Sequence, residues 1–141
     1  MTTDERKRIE QECRDLVNRL VQYSDHHLKK ESSELFTADG TWIRGGTPYT
    51  GWTAIIDSFK GSPTEFIRHL ATGTVVDVED ERSARGVTYY LVYRHDPKTS
   101  GPKLPMPLER PFSMGEWHDR FVKTDEGWRF SHREVKRLFQ G

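Results

Sequence analysis

The stretch IEQECRDLVNRLVQYSD, residues 9–25, determines how the rest of the chain can fold. Its apolar residues recur at helical spacing and form one stripe, made of Ile9, Cys13, Leu16, Val17, Leu20 and Val21. The next position on that stripe is Asp25. A carboxylate on an apolar helix face is costly to bury unless it has a partner. The sequence therefore predicts a helix that covers a pocket and directs an acid into it.

The overall composition restricts the class of protein. A length of 141 residues fits one domain, residues 1–141, with one core. The hydrophobic content is only 33%, but zero net charge and 11% aromatic residues allow the chain to collapse. Balanced charge argues against nucleic acid as a partner, because phosphate binding needs a basic surplus. No apolar run approaches the roughly 20 residues that span a bilayer, so we expect no membrane partner.

The first residues and the cysteine count predict a cytoplasmic location. Residues 1–8 are polar and do not resemble a signal peptide. The only cysteine, Cys13, excludes an intramolecular disulfide and fits a reducing compartment. Because Cys13 lies on the helix stripe, we interpret it as a core residue and not as a catalytic thiol.

Helices precede strands along the chain. The capping-box spacing of Thr2 and Glu5 predicts a first helix from Thr3 to about Tyr23. A short second helix is expected within residues 25–36, a strand over 41–44 and a third helix after Gly51. Four strands follow at 65–79, 84–95, 112–123 and 128–137, with a bulge or bend near Gly73 and a proline-rich loop at 96–111.

This order predicts an α+β domain in which a curved, mostly antiparallel sheet wraps around the N-terminal helices. The strand at 84–95 is apolar on both faces, so we expect it to be covered on both sides. A sheet bent around helices leaves a cone with a hollow end. Hollows of this kind are where small ligands bind.

The chain resembles SnoaL-like proteins of the NTF2-like (cystatin-like) superfamily. The resemblance lies in three early motifs and three later ones: Tyr23-x-Asp25, Leu35-Phe36-x-x-Asp39-Gly40-x-Trp42, Tyr49-x-Gly51-x-x-x-Ile55, Arg68-His69, Gly115-x-Trp117-x-Asp119-x-Phe121 and Gly127-Trp128-Arg129-Phe130-x-x-Arg133. It implies an α+β cone with a deep pocket, which forms a homodimer or homotrimer. The branch that looks most similar contains scytalone dehydratase, bile-acid dehydratases and a dehydrochlorinase, which need no cofactor.

The resemblance also implies roles for individual residues. Asp25 and His69 match the catalytic acid–base pair of that branch, and His95 matches a second pocket histidine. Tyr23 and Tyr49 are placed like the pocket tyrosines, Tyr49 more loosely. Arg133 resembles an arginine of the pocket floor. Trp42 and Phe66 join these as side chains expected to shape the substrate pocket.

Such residues suit the removal of a carbon-bound proton. A neutral imidazole accepts a proton near neutral pH, and a carboxylate on its other nitrogen fixes the tautomer. A tyrosine hydroxyl can stabilise an enolate, and His95 could protonate the leaving group. No step needs a metal or a cofactor. We therefore predict a cofactor-independent lyase or isomerase of dehydratase type, which acts on a small, largely apolar metabolite.

Other interpretations stay open on the sequence alone. Asp25 could cap the second helix, and His69 could be an ordinary hydrogen-bonded histidine. His95 could be exposed, and Arg133 could pair with Asp119 or Glu116 as a structural bridge. The whole domain could instead be a polyketide cyclase, or a non-catalytic ligand-binding or scaffold module such as a dioxygenase small subunit. A filled interior would favour the scaffold, whereas an open cavity with Asp25 bonded to His69 would favour the enzyme.

Overall fold

A computed structural model describes all 141 residues, and its first element is the predicted helix. Helix α1 spans Thr3–Asp25. The Thr2 hydroxyl accepts from the Glu5 main-chain N–H at 3.1 Å, and the Glu5 carboxylate accepts from the Thr2 N–H at 2.9 Å. This reciprocal pair confirms the predicted capping box. The apolar stripe is buried along its whole length, and Cys13 is fully buried within it.

Two further helices and six strands follow. They are α2 (Lys29–Glu34), β1 (Phe36–Arg44), β2 (Thr47–Thr50), α3 (Trp52–Asp57), β3 (Phe66–Asp80), β4 (Ser83–His95), β5 (Ser113–Thr124) and β6 (Gly127–Gln140). The second helix is shorter than expected, because α1 continues to Asp25 and β1 already begins at Phe36. Strand β2 was not predicted. Asp25 does not cap α2, whose N-cap is Leu28, so that interpretation is wrong.

The strands form one curved, unclosed sheet in the order β2-β1-β6-β5-β4-β3. All neighbours are antiparallel except β1 and β6, which run parallel. The structure therefore confirms the predicted α+β class and the mostly antiparallel sheet. The register between β3 and β4 shifts from Ala71 to Gly73, which confirms the bulge expected there.

The two faces of the sheet differ in burial. The face turned toward the helices, here called the inner face, carries Tyr90, Val92, Trp117 and Phe121 in the core. The opposite, outer face of β4 carries Tyr89, which is 53% exposed. Within the chain, β4 is thus covered on its inner face only, so the expected cover of its outer face requires a second copy. Both of its faces are apolar, but only one packs against the helices.

Helix α1 lies along β3, which is one edge of the sheet. Near the start of the helix, the Arg6 guanidinium donates to the main-chain carbonyl of Val78 at 3.0 Å. At its end, the Asp25 carboxylate accepts from the main-chain N–H of His69 at 2.9 Å. The opposite edge is β2, which has only four residues and contains Pro48. None of the three helices combines the length and the apolar character of a membrane-spanning helix.

Candidate active site

Asp25 and His69 meet where the end of α1 crosses the start of β3. The Asp25 side chain is only 4% exposed, because it continues the buried stripe of the helix. One carboxylate oxygen lies 2.6 Å from Nδ1 of His69, and the other accepts from the His69 main-chain N–H at 2.9 Å. The N–H has no strand neighbour on this side, since β3 is the edge of the sheet. Asp25 therefore holds both the ring and the backbone of His69.

This contact fixes the tautomer of the imidazole. An ionised carboxylate only accepts hydrogen bonds, so Nδ1 of His69 carries the proton that it donates to Asp25. Nε2 of His69 is then the unprotonated, basic nitrogen. It has no hydrogen-bond partner in the chain and is not sealed in the interior. The pair is therefore arranged as a base supported by an acid.

The ring of His69 rests on an aromatic layer of the inner face. Its centroid lies 5.8 Å from that of Trp117 and 6.4 Å from that of Tyr90, and these two rings stack at 4.9 Å. Behind Trp117 lies the guanidinium of Arg133, 4.3 Å from the Trp117 ring centroid. Arg133 donates to Asp119 at 2.7 and 2.9 Å. Burial raises the pKa of Asp119, although Arg133 opposes that shift.

His69 lines a cavity of about 240 Å³, here called the main cavity because it holds the candidate base and not because of its size. This volume is just below the roughly 300–1,000 Å³ of drug-sized ligand pockets, so it suits a small molecule. Its only apolar side chains are Phe59 and Ile67, and the rest of its lining is Ser24, His27, Lys29, Arg44, Ser58, Lys60, Gly61, Glu65, His69 and Arg94. The main cavity is therefore more polar and more cationic than the expected pocket for a largely apolar metabolite.

Two contacts organise the wall of the main cavity around Glu65. Glu65 accepts two hydrogen bonds from Arg94, at 3.0 and 2.8 Å. The Glu65 main-chain carbonyl lies 2.8 Å from Nε2 of His27, whose backbone has a φ of 60°. Because a carbonyl only accepts, His27 donates from Nε2. Together these contacts connect the loop after α1 to the start of β3.

Four of the predicted site residues lie on the outer face of the sheet or in the core behind the main cavity. His95 pairs in register with Phe66, and both project from the outer face, since their neighbours Arg94 and Ile67 line the main cavity on the inner one. His95 and Phe66 line a different cavity, of about 220 Å³, beneath the loop at 96–111. The structure therefore does not bring His95 or Phe66 to His69. The expected role of His95 as a second acid in the same pocket is wrong for this reason.

Arg133 and Trp42 lie in the core behind the main cavity. Arg133 is 1% exposed and is bonded to Asp119, as its structural alternative expected. Trp42 is buried between Phe36 and Phe59, at centroid distances of 5.3 and 5.7 Å. Its indole Nε1 is buried without a hydrogen-bond partner. Neither side chain lines the main cavity, so neither can contact a molecule there without rearrangement.

The two candidate tyrosines also lie outside the lining of the main cavity. Tyr23 is partly buried on α1, and its ring faces the guanidinium of Arg19 at 5.7 Å. Tyr49 lies on the short strand β2, pairs with Trp42 of β1 and packs against the core. No hydrogen bond connects either hydroxyl to His69. Neither tyrosine therefore places its hydroxyl beside His69, where the predicted stabilisation of an oxyanion would need it.

Sequence reasoning missed Arg44, which does line the main cavity. Its guanidinium lies 4.4 Å from the ring centroid of Trp42 and 4.5 Å from that of Phe59, and Nη1 donates to the Ser58 hydroxyl at 3.1 Å. The signal was present in the sequence, because Arg44 stands two residues after Trp42 in a strand and so shares its face. A cation on the buried face of a strand indicates a polar site, as Asp25 does on the helix. The structure contains no cluster of three or more His, Cys, Asp or Glu side chains that could hold a metal ion.

Comparison with known proteins identifies the family of this chain. The family model described as a SnoaL-like domain matches residues 5–134. No curated protein matches the chain at a significant level.

Many solved structures share the fold. A proposed scytalone dehydratase from Novosphingobium aromaticivorans superposes with a TM-score of 0.82 at 20% identity, covering 99% of this chain and 91% of that one. A single-residue variant of Rv3472, a protein of unknown function from Mycobacterium tuberculosis, gives 0.79 at 22% identity, with coverages of 98% and 77%. An NTF2-like protein with a cystatin-like fold, also from N. aromaticivorans, gives 0.76 at 24% identity, with coverages of 91% and 80%. At these identities the likeness concerns the fold alone.

Proposed function

Because the chain belongs to the SnoaL-like domain family, and because its buried acid meets an imidazole at an open cavity, we propose that it is a cofactor-independent lyase or isomerase. His69 is the general base, and Asp25 is the acid that orients it. The observation that carries this proposal is the 2.6 Å contact between Asp25 and Nδ1 of His69. The free nitrogen of the same ring is then available to a small molecule in the main cavity.

The chemistry starts with transfer of a carbon-bound proton to Nε2 of His69. The imidazolium that forms is stabilised by the Asp25 carboxylate, which already accepts from the opposite nitrogen. Returning this proton to a leaving hydroxyl on the adjacent carbon expels water and completes an elimination. Returning it to another carbon completes an isomerisation. One base therefore suffices for both reactions, and His95 is not required.

The scaffold alternative is weaker on the same observations. A scaffold that binds partners through its surfaces has no need of an open interior or of a tautomer fixed by a buried carboxylate. Here the interior holds a cavity of about 240 Å³, and a side chain with a free basic nitrogen lines it. A histidine with a fixed tautomer at a cavity wall is the arrangement expected of a general base.

The test is a comparison of matched histidine variants on activated β-hydroxy-carbonyl compounds, screened for loss of water. General-base catalysis typically contributes about 10²–10⁴-fold, so His69→Gln should lose at least a hundredfold in kcat/KM. His132→Gln is the control, because His132 lies on the outer face, in a surface depression away from the main cavity. Full turnover by the His69→Gln variant, on a substrate that the unaltered protein converts, would reject the proposal.

A further inference from the structure

Arg44 is a cation in the wall of the main cavity that has no counterion in the chain. No carboxylate lies within 4.0 Å of its guanidinium. Its one hydrogen bond goes to the Ser58 hydroxyl, at 3.1 Å. A guanidinium has five N–H donors in a planar fork, so most of its donors have no acceptor within the protein. The acid–base pair of Asp25 and His69 makes no use of this group.

The surroundings of Arg44 hold its fork in place. The rings of Trp42 and Phe59 lie 4.4 and 4.5 Å from the guanidinium carbon and so restrict its plane. The Ser58 hydroxyl donates to the Ile55 carbonyl at 2.6 Å, so its lone pairs are turned to Arg44. Burial lowers the pKa of Arg44 to about 10, which leaves it a cation at neutral pH. Arg44 is half-buried, and charges withdrawn from water are normally paired, so a guanidinium held between two rings without a counterion is suited to an anionic ligand.

The other charges of the main cavity favour an anion as that partner. Lys29, Lys60 and Arg94 also line the cavity, and its only carboxylate is Glu65. Glu65 is already engaged by both donors of Arg94. A concave surface lined by one sign of charge concentrates ligands of the opposite sign.

We propose that the main cavity binds a small molecule that carries a carboxylate. Arg44 receives the carboxylate through two parallel N–H···O bonds, the geometry in which a guanidinium and a carboxylate fit each other. The remainder of the molecule lies against the imidazole of His69, which lines the same cavity. This inference rests on the proposed function for the reaction that follows binding, and it replaces the apolar metabolite by an organic acid.

The experiment measures binding without turnover, by calorimetric titration with benzoate and with its neutral isostere benzamide in low-salt buffer. The unaltered protein should bind benzoate at least tenfold more tightly than benzamide. Loss of a charge-assisted bidentate contact typically weakens binding by tenfold or more, so Arg44→Gln should lose at least that factor for benzoate. Lys60→Gln removes one exposed cavity cation and should change the affinity by less than about threefold.

Two further measurements keep the result interpretable if Arg44→Gln folds poorly. Arg44→Lys keeps the charge but lacks the fork, and it should fall between the unaltered protein and Arg44→Gln. In the unaltered protein, benzoate should shift the NMR signal of the Trp42 indole N–H, because Trp42 lies directly under Arg44. Any one of three results would overturn the proposal. The first is equal affinity of the unaltered protein for benzoate and benzamide, and the second is an equal loss of benzoate affinity in Lys60→Gln and Arg44→Gln. The third is a Trp42 indole signal that benzoate does not shift.

The carboxylate site and the acid–base proposal can fail independently. His69→Gln should still bind benzoate, because Arg44 is intact in it. If benzoate binding depends on Arg44 while His69→Gln keeps full turnover, the carboxylate site stands and the assigned base is wrong. If His69→Gln is inactive while benzoate binding ignores Arg44, the base stands and the carboxylate site is wrong.

Discussion

Replacing Asp25 by alanine should cost stability as well as activity, because one carboxylate makes two hydrogen bonds to His69. A hydrogen bond to a charged group contributes about 1.5–3 kcal/mol, and the two bonds here measure 2.6 and 2.9 Å. The His69 ring is 21% exposed and can recover part of its loss from water, whereas the main-chain N–H behind it recovers less. We therefore expect Asp25→Ala to lower the free energy of unfolding by about 3 kcal/mol.

Urea unfolding followed by circular dichroism measures this loss. With a slope of about 2 kcal/mol per molar urea, typical of small domains, the midpoint should fall by about 1.5 M. The matched control is Asp15→Ala on the same helix, because Asp15 is exposed and bonds only to Gln11. An exposed pair of this kind should change stability by no more than about 0.5 kcal/mol.

A second background separates the two bonds of Asp25. In a His69→Ala protein the ring bond is already gone, but the main-chain N–H of residue 69 remains. Asp25→Ala should then cost about half as much, about 1.5 kcal/mol. If Asp25→Ala is as harmless as Asp15→Ala in both backgrounds, the carboxylate does not hold the edge strand, and the reasoning is refuted.

Two other properties of the chain can be measured directly. Burial raises the pKa of the Cys13 thiol to about 12. We therefore expect Cys13 not to react with a disulfide reagent from pH 7 to 9 in the folded protein, and to react rapidly in denaturant. Rapid reaction in the folded protein would contradict the burial of this residue. We expect the homodimer or homotrimer to associate through the outer face, where an apolar row crosses four strands beside the oppositely charged Glu116 and Lys136. A two-fold axis can pair this pattern with itself, which favours the dimer. The row consists of Leu70, Leu91, Met114 and Phe139. Light scattering should give the mass of an oligomer for the unaltered protein and a smaller mass for Phe139→Lys. The mass of a monomer for both proteins would contradict this prediction.

Local pattern was enough to predict the helix that carries the acid. The capping box and the apolar stripe act within a few residues of one another, so Thr2, Glu5 and Asp25 could be placed before any tertiary contact was known. Strand β2 escaped prediction for the opposite reason. It has four residues and a proline, and it exists only because β1 lies beside it.

The pairing of Asp25 with His69 was indicated by the resemblance and not by periodicity. The two residues are 44 positions apart, and no local rule predicts which strand passes the end of a helix. His95 was misplaced because side chains alternate along β4, and both faces of that strand are apolar in sequence. Tyr90 and Val92 turn out to face the helices, which places His95 on the outer face. Only the register of the folded sheet could decide between the two faces.

The contacts along the sheet margins have a consequence for how copies of this chain can meet. At β3, Arg6 donates to the main-chain carbonyl of Val78 and Asp25 accepts from the main-chain N–H of His69, so one outward backbone group towards each end of that edge strand already has a partner. At β2, a short strand interrupted by Pro48 offers little for another strand to extend. Neighbouring molecules are thus discouraged from continuing the sheet into a fibre. Replacing Asp25 would free the main-chain N–H of His69 on this edge, and a chain altered there would be expected to aggregate sooner on heating.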